Sequence, residues 1–433
     1  MNQKIKNYGI WMSVFIFLFS ICMGQTVRAD SYITAKNWPK GPSVNAEAAV
    51  LIDATNGQVL YEKNPDEKLY PASITKIMTA LLALENTKLT DTVTAKGDGL
   101  TKLPPGYVSI AISNGEQMKA EDWLQALLLY SANDAANVLG AHIGGSLNHF
   151  ADMMNERAKK AGAKNTHFEN PSGLHSKNHY TTAYDMAMIL KDCVANEDFL
   201  KIAGNVTYEL QPNNTRKQAF RFYNRHQMLI KSNKNYYEYA LAGKTGYTTQ
   251  AKNTLVTYAQ KDGMKLICCV MKCGEGMAYP DTKTLFEYGF NNFSLCEVSK
   301  KDTRYTLTQA GIFSSLNTQS SPLSITIGEG CEFILPNGVK LEDLDTKLEY
   351  VDHSTSNDGF ATVTYSYEGE NLGTAKLYLN VLNADKTTDM MQIFSDNTIY
   401  ISIWYVAVPG VILAAITTAF VMKHKKNKNK LSF

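Results

Sequence analysis

Tyr70-Pro71-Ala72-Ser73-Ile74-Thr75-Lys76 and the apolar run behind it organise the sequence. Ile77, Met78, Leu81, Leu82 and Leu84 recur at helical spacing, and no Gly or Pro interrupts Ala72 to Glu85. The pattern predicts a buried helix whose first turn carries Ser73. Pro71 stands where a helix can begin but cannot extend backwards. Ser73 and Lys76 are three residues apart, so on a helix they share a face and their polar heads can meet. A hydroxyl beside an amine is a nucleophile beside a base, provided burial or a second cation keeps the amine neutral. A helix start also leaves backbone N–H groups free to bind an oxyanion. Taken alone, Ser-x-x-Lys more often marks an N-cap serine next to a solvated lysine, so segments further along must decide.

The chain has 433 residues, 44% hydrophobic and 19% charged, which suits two or three globular domains. Its 43 basic and 41 acidic side chains give a net charge of +2, which offers no electrostatic footprint for nucleic acid. Two end segments are set aside before the fold is read. Lys4 and Lys6 precede an apolar run from Ile10 to Met23 and then Val27-Arg28-Ala29, the pattern of a secretory signal peptide over residues 1–29. Phe19-Ser20-Ile21 lacks the small residues that a lipoprotein signal places before a cysteine such as Cys22. Residues 399–422 carry no charge and are long enough to cross a bilayer. Lys423, Lys425, Lys426, Lys428 and Lys430 follow at once. This predicts a C-terminal transmembrane helix with Pro409 and Gly410 inside it, a cytoplasmic basic tail over 423–433, and an exported chain between the two segments.

Cys193, Cys268, Cys269, Cys273, Cys296 and Cys331 form no C-x-x-C pair, so a metal site is not expected. Leu266 to Met271 reads as a buried strand, with Cys268 and Cys269 as small core residues on its two faces. Free thiols are the expectation, since a chain of this length does not need disulfides.

Residues 30–44 hold Trp38-Pro39 and Gly41-Pro42 without periodicity and read as a linker. Ala48 to Asp53 and Gln58 to Glu62 flank Ala54-Thr55-Asn56-Gly57, a strong hairpin signal. After the Ser73 helix, Leu89 to Ala111 is a loop excursion containing Pro104-Pro105-Gly106. Helical patterns run from Ala120 to Tyr130, from about Ala135, from Phe150 to Gly162 and from Thr182 to Asn196. Ser131 and Asn133 fall in a short connection between two of these helices, where both could act simply as caps. Asn170-Pro171-Ser172-Gly173-Leu174-His175 is a turn. Val206 to Leu210, Ala219 to Tyr223, Thr254 to Ala259 and Leu266 to Met271 have strand composition, and Leu285 to Phe293 returns to helix. The order predicts an α/β (α+β) unit over residues 45–294, an antiparallel sheet covered by helices. Residues 295–388 are strand-rich, with strands expected at Tyr305–Thr308, Leu323–Ile327, Lys347–Val351, Ala361–Tyr367 and Gly373–Leu379. They read as a small all-β domain, followed by a polar linker over 389–398.

Ser73-x-x-Lys76, Ser131-x-Asn133 and Lys244-Thr245-Gly246 now stand in order, and their joint occurrence is far more specific than any one of them. On these motifs the sequence resembles the low-molecular-mass penicillin-binding proteins of the serine D-alanyl-D-alanine carboxypeptidase family. The stretches around them are similar to the family's too: Pro71 to Thr79, Asn170-Pro171-Ser172-Gly173-Leu174, Thr182-Ala183-Tyr184-Asp185-Met186-Ala187 and Gly243 to Thr248. The likeness covers roughly Asn45 to Ser294. It implies a penicillin-binding or β-lactamase-like transpeptidase fold and a peptidase with no metal and no cofactor. It also implies that Ser73 attacks the terminal D-Ala-D-Ala bond of a peptidoglycan stem pentapeptide and forms an acyl-enzyme, with β-lactam antibiotics as covalent inhibitors. Lys76 would take the proton and Ser131 would pass it to the leaving amine. Asn133 would hold the peptide amide, Lys244 and Thr245 the terminal carboxylate, and Gly246 would allow close backbone approach. The N–H groups of Ser73 and Tyr247 would form the oxyanion hole. The protein would sit in a bacterial cell membrane, crossing it once, with its catalytic domain outside.

Two positions depart from the family's pattern. Asn224-Arg225-His226 stands where an Asn-x-Asn stretch is common, and an Arg often found ahead of the last helix is replaced near Ala278. Carboxylate binding is therefore expected to rest on Thr245 and Lys244, or on Arg225. His226 and His175 read as packing residues, since no Ser/Asp partners accompany them in sequence. Two other readings stand beside the carboxypeptidase. A β-lactamase is disfavoured because no Glu-x-x-Leu-Asn segment for a deacylating water stands near Asn170. A penicillin sensor that acylates without turnover is disfavoured because residues 423–433 are too few for an output domain.

Overall fold

The N-terminal hairpin forms where Asn56-Gly57 predicts it. Strand β1 (Ala48–Asp53) and strand β2 (Val59–Lys63) pair antiparallel across a turn in which Gly57 takes φ +86°, a conformation that glycine adopts at no steric cost. The computed structural model describes residues 31–305, 323–328, 331–351 and 359–381. The expected signal peptide (1–29), linker (389–398), transmembrane helix (399–422) and basic tail (423–433) lie outside the described residues. Among the described residues no helix is long and apolar enough to cross a membrane.

A 3-10 turn over Ala72–Thr75 leads into helix α1 (Lys76–Asn86). Strands β3 (Thr92–Thr94) and β4 (Gln117–Lys119) pair with each other. Helix α2 (Ala120–Gln125) runs into a π turn (Ala126–Tyr130), and α3 (Asn133–Gly144) and α4 (Leu147–Lys160) follow. Next come α5 (Ala183–Val194) and α6 (Glu197–Gly204), capped by Thr182 and Asn196 side chains that accept from the first-turn N–H groups. Strands β5 (Thr207–Leu210) and β6 (Phe220–Tyr223) form a separate hairpin outside the main sheet. Strands β7 (Ala240–Thr248), β8 (Lys252–Lys261) and β9 (Met264–Cys273) complete the five-stranded antiparallel sheet in the order β2-β1-β9-β8-β7. Helix α7 (Ala278–Asn292) then covers one face of it.

Alternation along the strands divides the core in two. Val50, Ile52, Val256, Ile267, Cys269 and Met271 face the main helical layer that includes α1 and α5. Ala49, Leu51, Leu255, Leu266, Cys268 and Val270 face α7 with its Leu285 and Phe286. Both faces are covered, so every residue of β1 is buried. Fully burying such side chains contributes about 1.5–3 kcal/mol each before chain entropy is counted. Cys268 and Cys269 take opposite faces, as the strand pattern predicts, and the six described cysteines are free.

Several elements differ from the sequence reading. Ser73 lies on a 3-10 turn because Ala72 takes φ +52°, which delays the α-helix to Lys76. The segment expected as a linker is fixed. Tyr32 N donates to Glu62 Oε2 at 2.9 Å, its ring stacks on Tyr184 at 4.4 Å, Thr34 N donates to Glu370 Oε2 at 2.8 Å, and Trp38 Nε1 donates to the Leu60 carbonyl at 2.9 Å. The last helix begins at Ala278, seven residues ahead of the expected Leu285, and strand β10 (Phe293–Glu297) follows at the position where the helix was expected to end. In the β-rich part follow β11 (Leu323–Ile327), β12 (Glu332–Pro336), β13 (Asp345–Tyr350), β14 (Ala361–Tyr367) and β15 (Glu370–Val381). β10 pairs with β12, and the other four form a sheet in the order β11-β15-β14-β13. Of the strand expected at Tyr305–Thr308, only Tyr305 is described, and it lies in a turn. The described residues divide into two compact units, one holding those up to 303 together with those in 327–349 and 362–375, and the other holding the remainder.

Candidate active site

The turn that carries Ser73 is clamped from three sides. Thr254 Oγ1 on β8 donates to the Pro71 carbonyl at 2.9 Å. Gly246 on β7 approaches so closely that a Cβ there would meet Thr254 Oγ1 at 2.4 Å and Ser73 N at 2.9 Å. On the other side, Gly173 takes φ +83°, and its Cβ would stand 1.8 Å from the Ala72 carbonyl oxygen. Asn170 holds that second turn: its Oδ1 accepts from the N–H groups of Ser172, Gly173 and Leu174 at 3.2, 2.8 and 3.1 Å. Thr79 Oγ1 on α1 donates to the Pro171 carbonyl at 2.6 Å. His179 closes the clamp. Its Nδ1 accepts from Glu169 N at 3.0 Å, so Nε2 carries the proton and donates to Thr75 Oγ1 at 2.9 Å. Burial pushes this imidazole down to about 3, which keeps it neutral.

Lys76 is fully buried, and three groups surround its Nζ: Ser73 Oγ at 3.1 Å, Asn133 Oδ1 at 2.7 Å and the Ser172 carbonyl at 2.6 Å. Two of these are carbonyl-type oxygens that only accept. A neutral amine gives its two protons to them, and its lone pair is left for the Ser73 hydroxyl. Burial pushes the Lys76 ammonium well below its ordinary range; the Lys244 cation and the Arg225 cation act in the same direction, and Asp134 acts against them.

Ser131 follows the π turn at φ +68°, ψ +34°, a left-handed conformation rare for serine. The wide turn closes through Ala132 N donating to the Ala126 carbonyl at 3.0 Å. The next residue, Asn133, begins α3. Its backbone N–H and Nδ2 both donate to the Val108 carbonyl, at 2.9 and 3.0 Å. Asp134 accepts from Ser109 Oγ at 2.5 Å and from Ile110 N at 3.0 Å. The loop excursion is thereby pinned beside Asn133, with Gly106 and Tyr107 on the cavity wall. Asn133 thus positions both Lys76 and this loop.

Strand β7 delivers the third motif along its free edge. Lys244 stands opposite Val256, and Gly246 opposite Thr254, so both point to the face that carries Ser73. Thr245 stands opposite Leu255 and shares with Tyr247 the face that carries α7. Lys244 is buried; burial, then the Arg225 cation, brings its ammonium down to about 7. Ser73, Ser131, Asn133, Thr245, Gly246 and Tyr247 all line one cavity of about 650 Å³. Arg225 lines it as well, with its guanidinium 5.1 Å from the centre of the Tyr130 ring. His226 is buried and pairs with Thr257 Oγ1 at 2.8 Å, so it packs behind β7; His175 stands exposed against Tyr70. Among the described residues no cluster of three His, Cys, Asp or Glu side chains could hold a metal ion.

A nucleophile turn, a buried amine between two acceptors, and an edge strand bearing Lys-Thr-Gly converge on one groove. A family model described as D-alanyl-D-alanine carboxypeptidase matches residues 35–274. The chain belongs to the D-alanyl-D-alanine carboxypeptidase family. It is 32% identical over 313 residues to D-alanyl-D-alanine carboxypeptidase DacF of Bacillus subtilis, covering 69% of this chain and 75% of that one. It is also 32% identical over 337 residues to DacC of Escherichia coli, covering 75% and 78%. Penicillin binding protein 5 of Haemophilus influenzae superposes with a TM-score of 0.62 at 26% identity, over 78% of this chain and 98% of that one. A carboxypeptidase of Mycobacterium tuberculosis gives a TM-score of 0.54 at 30% identity, over 60% and 96%. The penicillin-binding transpeptidase fold follows from these likenesses.

Within this family site, three supports escaped the sequence reading. They are the Ser172 carbonyl that accepts from Lys76, Asn170 that shapes its turn, and His179 that reaches Thr75. For Asn170 and Ser172 the signals are the Asn-Pro-Ser-Gly turn and its likeness to the family, which mark a bend without saying what it presses against; His179 lies beyond both.

Proposed function

We propose that this protein removes the terminal D-alanine from peptidoglycan stem pentapeptides through an acyl-enzyme on Ser73. Ser73 Oγ attacks the carbonyl carbon of the penultimate D-alanine as its hydroxyl proton moves to neutral Lys76. The N–H groups of Ser73 and Tyr247 stabilise the oxyanion. The C–N bond then breaks, and Ser131 relays the proton to the leaving amine. Asn133 holds the peptide amide, and Lys244 with Thr245 holds the terminal carboxylate. Water hydrolyses the ester, releasing the shortened peptide and restoring the Ser73 hydroxyl. β-Lactams acylate the same oxygen.

The observation that supports this reading best is the set of three neighbours around Lys76 Nζ, two acceptors and one hydroxyl. The experiment is to mix the full-length protein with a D-Ala-D-Ala peptide and with labelled penicillin. Peptide turnover with a long-lived penicillin adduct supports the carboxypeptidase. Fast penicillin hydrolysis, or an adduct without peptide turnover, would point instead to a β-lactamase or a sensor.

The remaining assignments rest on sequence character. Residues 1–29 serve as a signal peptide, 399–422 as a single transmembrane anchor and 423–433 as its cytoplasmic tail. The catalytic domain (45–294) and the β-rich domain (295–388) then lie outside a bacterial cell membrane. Protease digestion of intact spheroplasts tests this: the catalytic domain should be cut and the tail protected.

A further inference from the structure

A second cavity, of about 460 Å³, opens between the β3-β4 hairpin, the β5-β6 hairpin and the start of α2. Its walls are fixed. Asn214, past the end of β5, accepts from Gln117 N through Oδ1 at 2.9 Å and donates through Nδ2 to the Gly115 carbonyl at 2.7 Å. Asn213 Nδ2 donates to Glu116 Oε1 at 2.9 Å, and Arg216 Nη2 ties the same tip to the Ile110 carbonyl at 2.8 Å. Tyr208 on β5 donates through Oη to Asp122 Oδ1 at 2.5 Å, which holds its ring on the wall. The space therefore exists before a ligand arrives, and binding needs little ordering of the protein.

The lining has two characters. Met118, Leu210, Pro212 and the Tyr208 ring give apolar surface. Thr92, Gln117, Gln211 and Glu121 set hydroxyl, amide and carboxylate groups around it. Among the described residues the side chains of Thr92, Gln117 and Glu121 make no hydrogen bond or ion pair with the protein, so their donors and acceptors are left for a ligand. Lys119 against Glu121 and Asp122, one cation and two carboxylates, leaves a net charge of −1 on the wall, which disfavours an anionic ligand. A neutral molecule with apolar ring faces and hydroxyl and amide edges fits both characters, and an N-acetylated sugar is such a molecule. The loop that walls this cavity also walls the catalytic one. Gly106, Tyr107 and Val108 line the groove at Ser73, and Gln117, Met118 and Lys119 line the second space. Ten residues separate Tyr107 from Gln117, so the two walls stand at most about 36 Å apart.

We propose that this second cavity binds sugars of a peptidoglycan glycan strand while a stem peptide of that strand occupies the groove at Ser73. The proposal deepens the carboxypeptidase reading, on which its ligand rests. Sugar and peptide are joined in one polymer, so holding the first raises the local concentration of the second.

Two measurements on the full-length protein test it. The first titrates chitotetraose, a peptide-free chain of N-acetylglucosamine, by ligand-observed NMR. The natural protein should bind it, and prior labelling with benzylpenicillin should leave that binding unchanged, because the groove at Ser73 is not used. In the double variant Gln117→Ala/Glu121→Ala the dissociation constant should rise by about tenfold or more. Neither side chain is bonded within the fold, so the variant should keep its Tm and its activity on a free pentapeptide. The second measurement compares kcat/KM per stem on a glycan chain of several disaccharide-pentapeptide units with that on the free pentapeptide. The natural protein should favour the chain by about tenfold or more, through KM, and the double variant should lose the preference. No binding of chitotetraose, or equal binding by the variant, overturns the glycan site. So does an equal kcat/KM of the natural protein on chain and free peptide. Cleavage of neither substrate overturns the carboxypeptidase reading instead, and the titration still decides the glycan site by itself.

Discussion

Gly173 and Ala72 touch backbone to backbone: a Cβ on Gly173 would lie 1.8 Å from the Ala72 carbonyl oxygen. Ala72 itself is held at φ +52°, one residue before Ser73. The position of the nucleophile therefore depends on a turn about a hundred residues further along the chain.

Gly173→Ala must move that turn or the Ser73 backbone, and it also places an L side chain at φ +83°. The expected cost is at least about 2 kcal/mol of stability. The second-order rate of penicillin acylation should fall by about a hundredfold, since small displacements at a reacting atom cost that much. Thermal unfolding and stopped-flow acylation check both; unaltered values would show that the contact is relaxed.

Lys76→Gln keeps a polar group of similar length but removes the amine. Acylation should slow by about 10²–10⁴-fold, the usual contribution of a positioned base. Circular dichroism should report an intact fold. Near-natural acylation in this variant would remove Lys76 from the chemistry.

The two lysines set opposite limbs of the pH profile. On the proposed mechanism Lys76 is a base only when neutral, so activity should rise with pH through its lowered titration. On the proposed mechanism Lys244 holds the carboxylate as the charged ammonium, so activity should fall as pH passes about 7. Arg225 lowers both lysines. Removing its charge in Arg225→Gln makes both ammonium forms easier to keep, so both limbs of kcat/KM should move to higher pH. A profile that stays in place, or moves to lower pH, contradicts this electrostatic arrangement.

Thr254→Val deletes the 2.9 Å bond from β8 to the Pro71 carbonyl while keeping side-chain shape. It leaves a buried carbonyl unpaired and should cost about 1–3 kcal/mol. Urea unfolding measures the loss; a neutral result would mean that Pro71 finds another donor.

Much of the site was legible because its chemistry sits in short local patterns. Ser73 and Lys76 meet across a single turn, and Lys244-Thr245-Gly246 lies on a strand whose alternation separates its side chains. The hairpin announced itself through Asn56-Gly57. What escaped was set by distant partners. Ala72, at φ +52°, packs against Gly173 a hundred residues on, and the π turn before Ser131 is not a change in hydrophobic period. Residues 31–38 have no periodicity, yet Glu62 and Glu370 hold them in place. The start of β10 at Phe293 is not marked in sequence, because its pairing partner β12 lies far along the chain.

The central claim is that the oxygen of Ser73, activated by Lys76, is the atom that becomes acylated. Its most direct test is peptide mass spectrometry of the full-length protein and of Ser73→Ala after brief exposure to benzylpenicillin. The natural protein should carry one penicillin mass on Ser73, and the variant none. A label on any other residue of the natural protein, or any label on the variant, would contradict the claim.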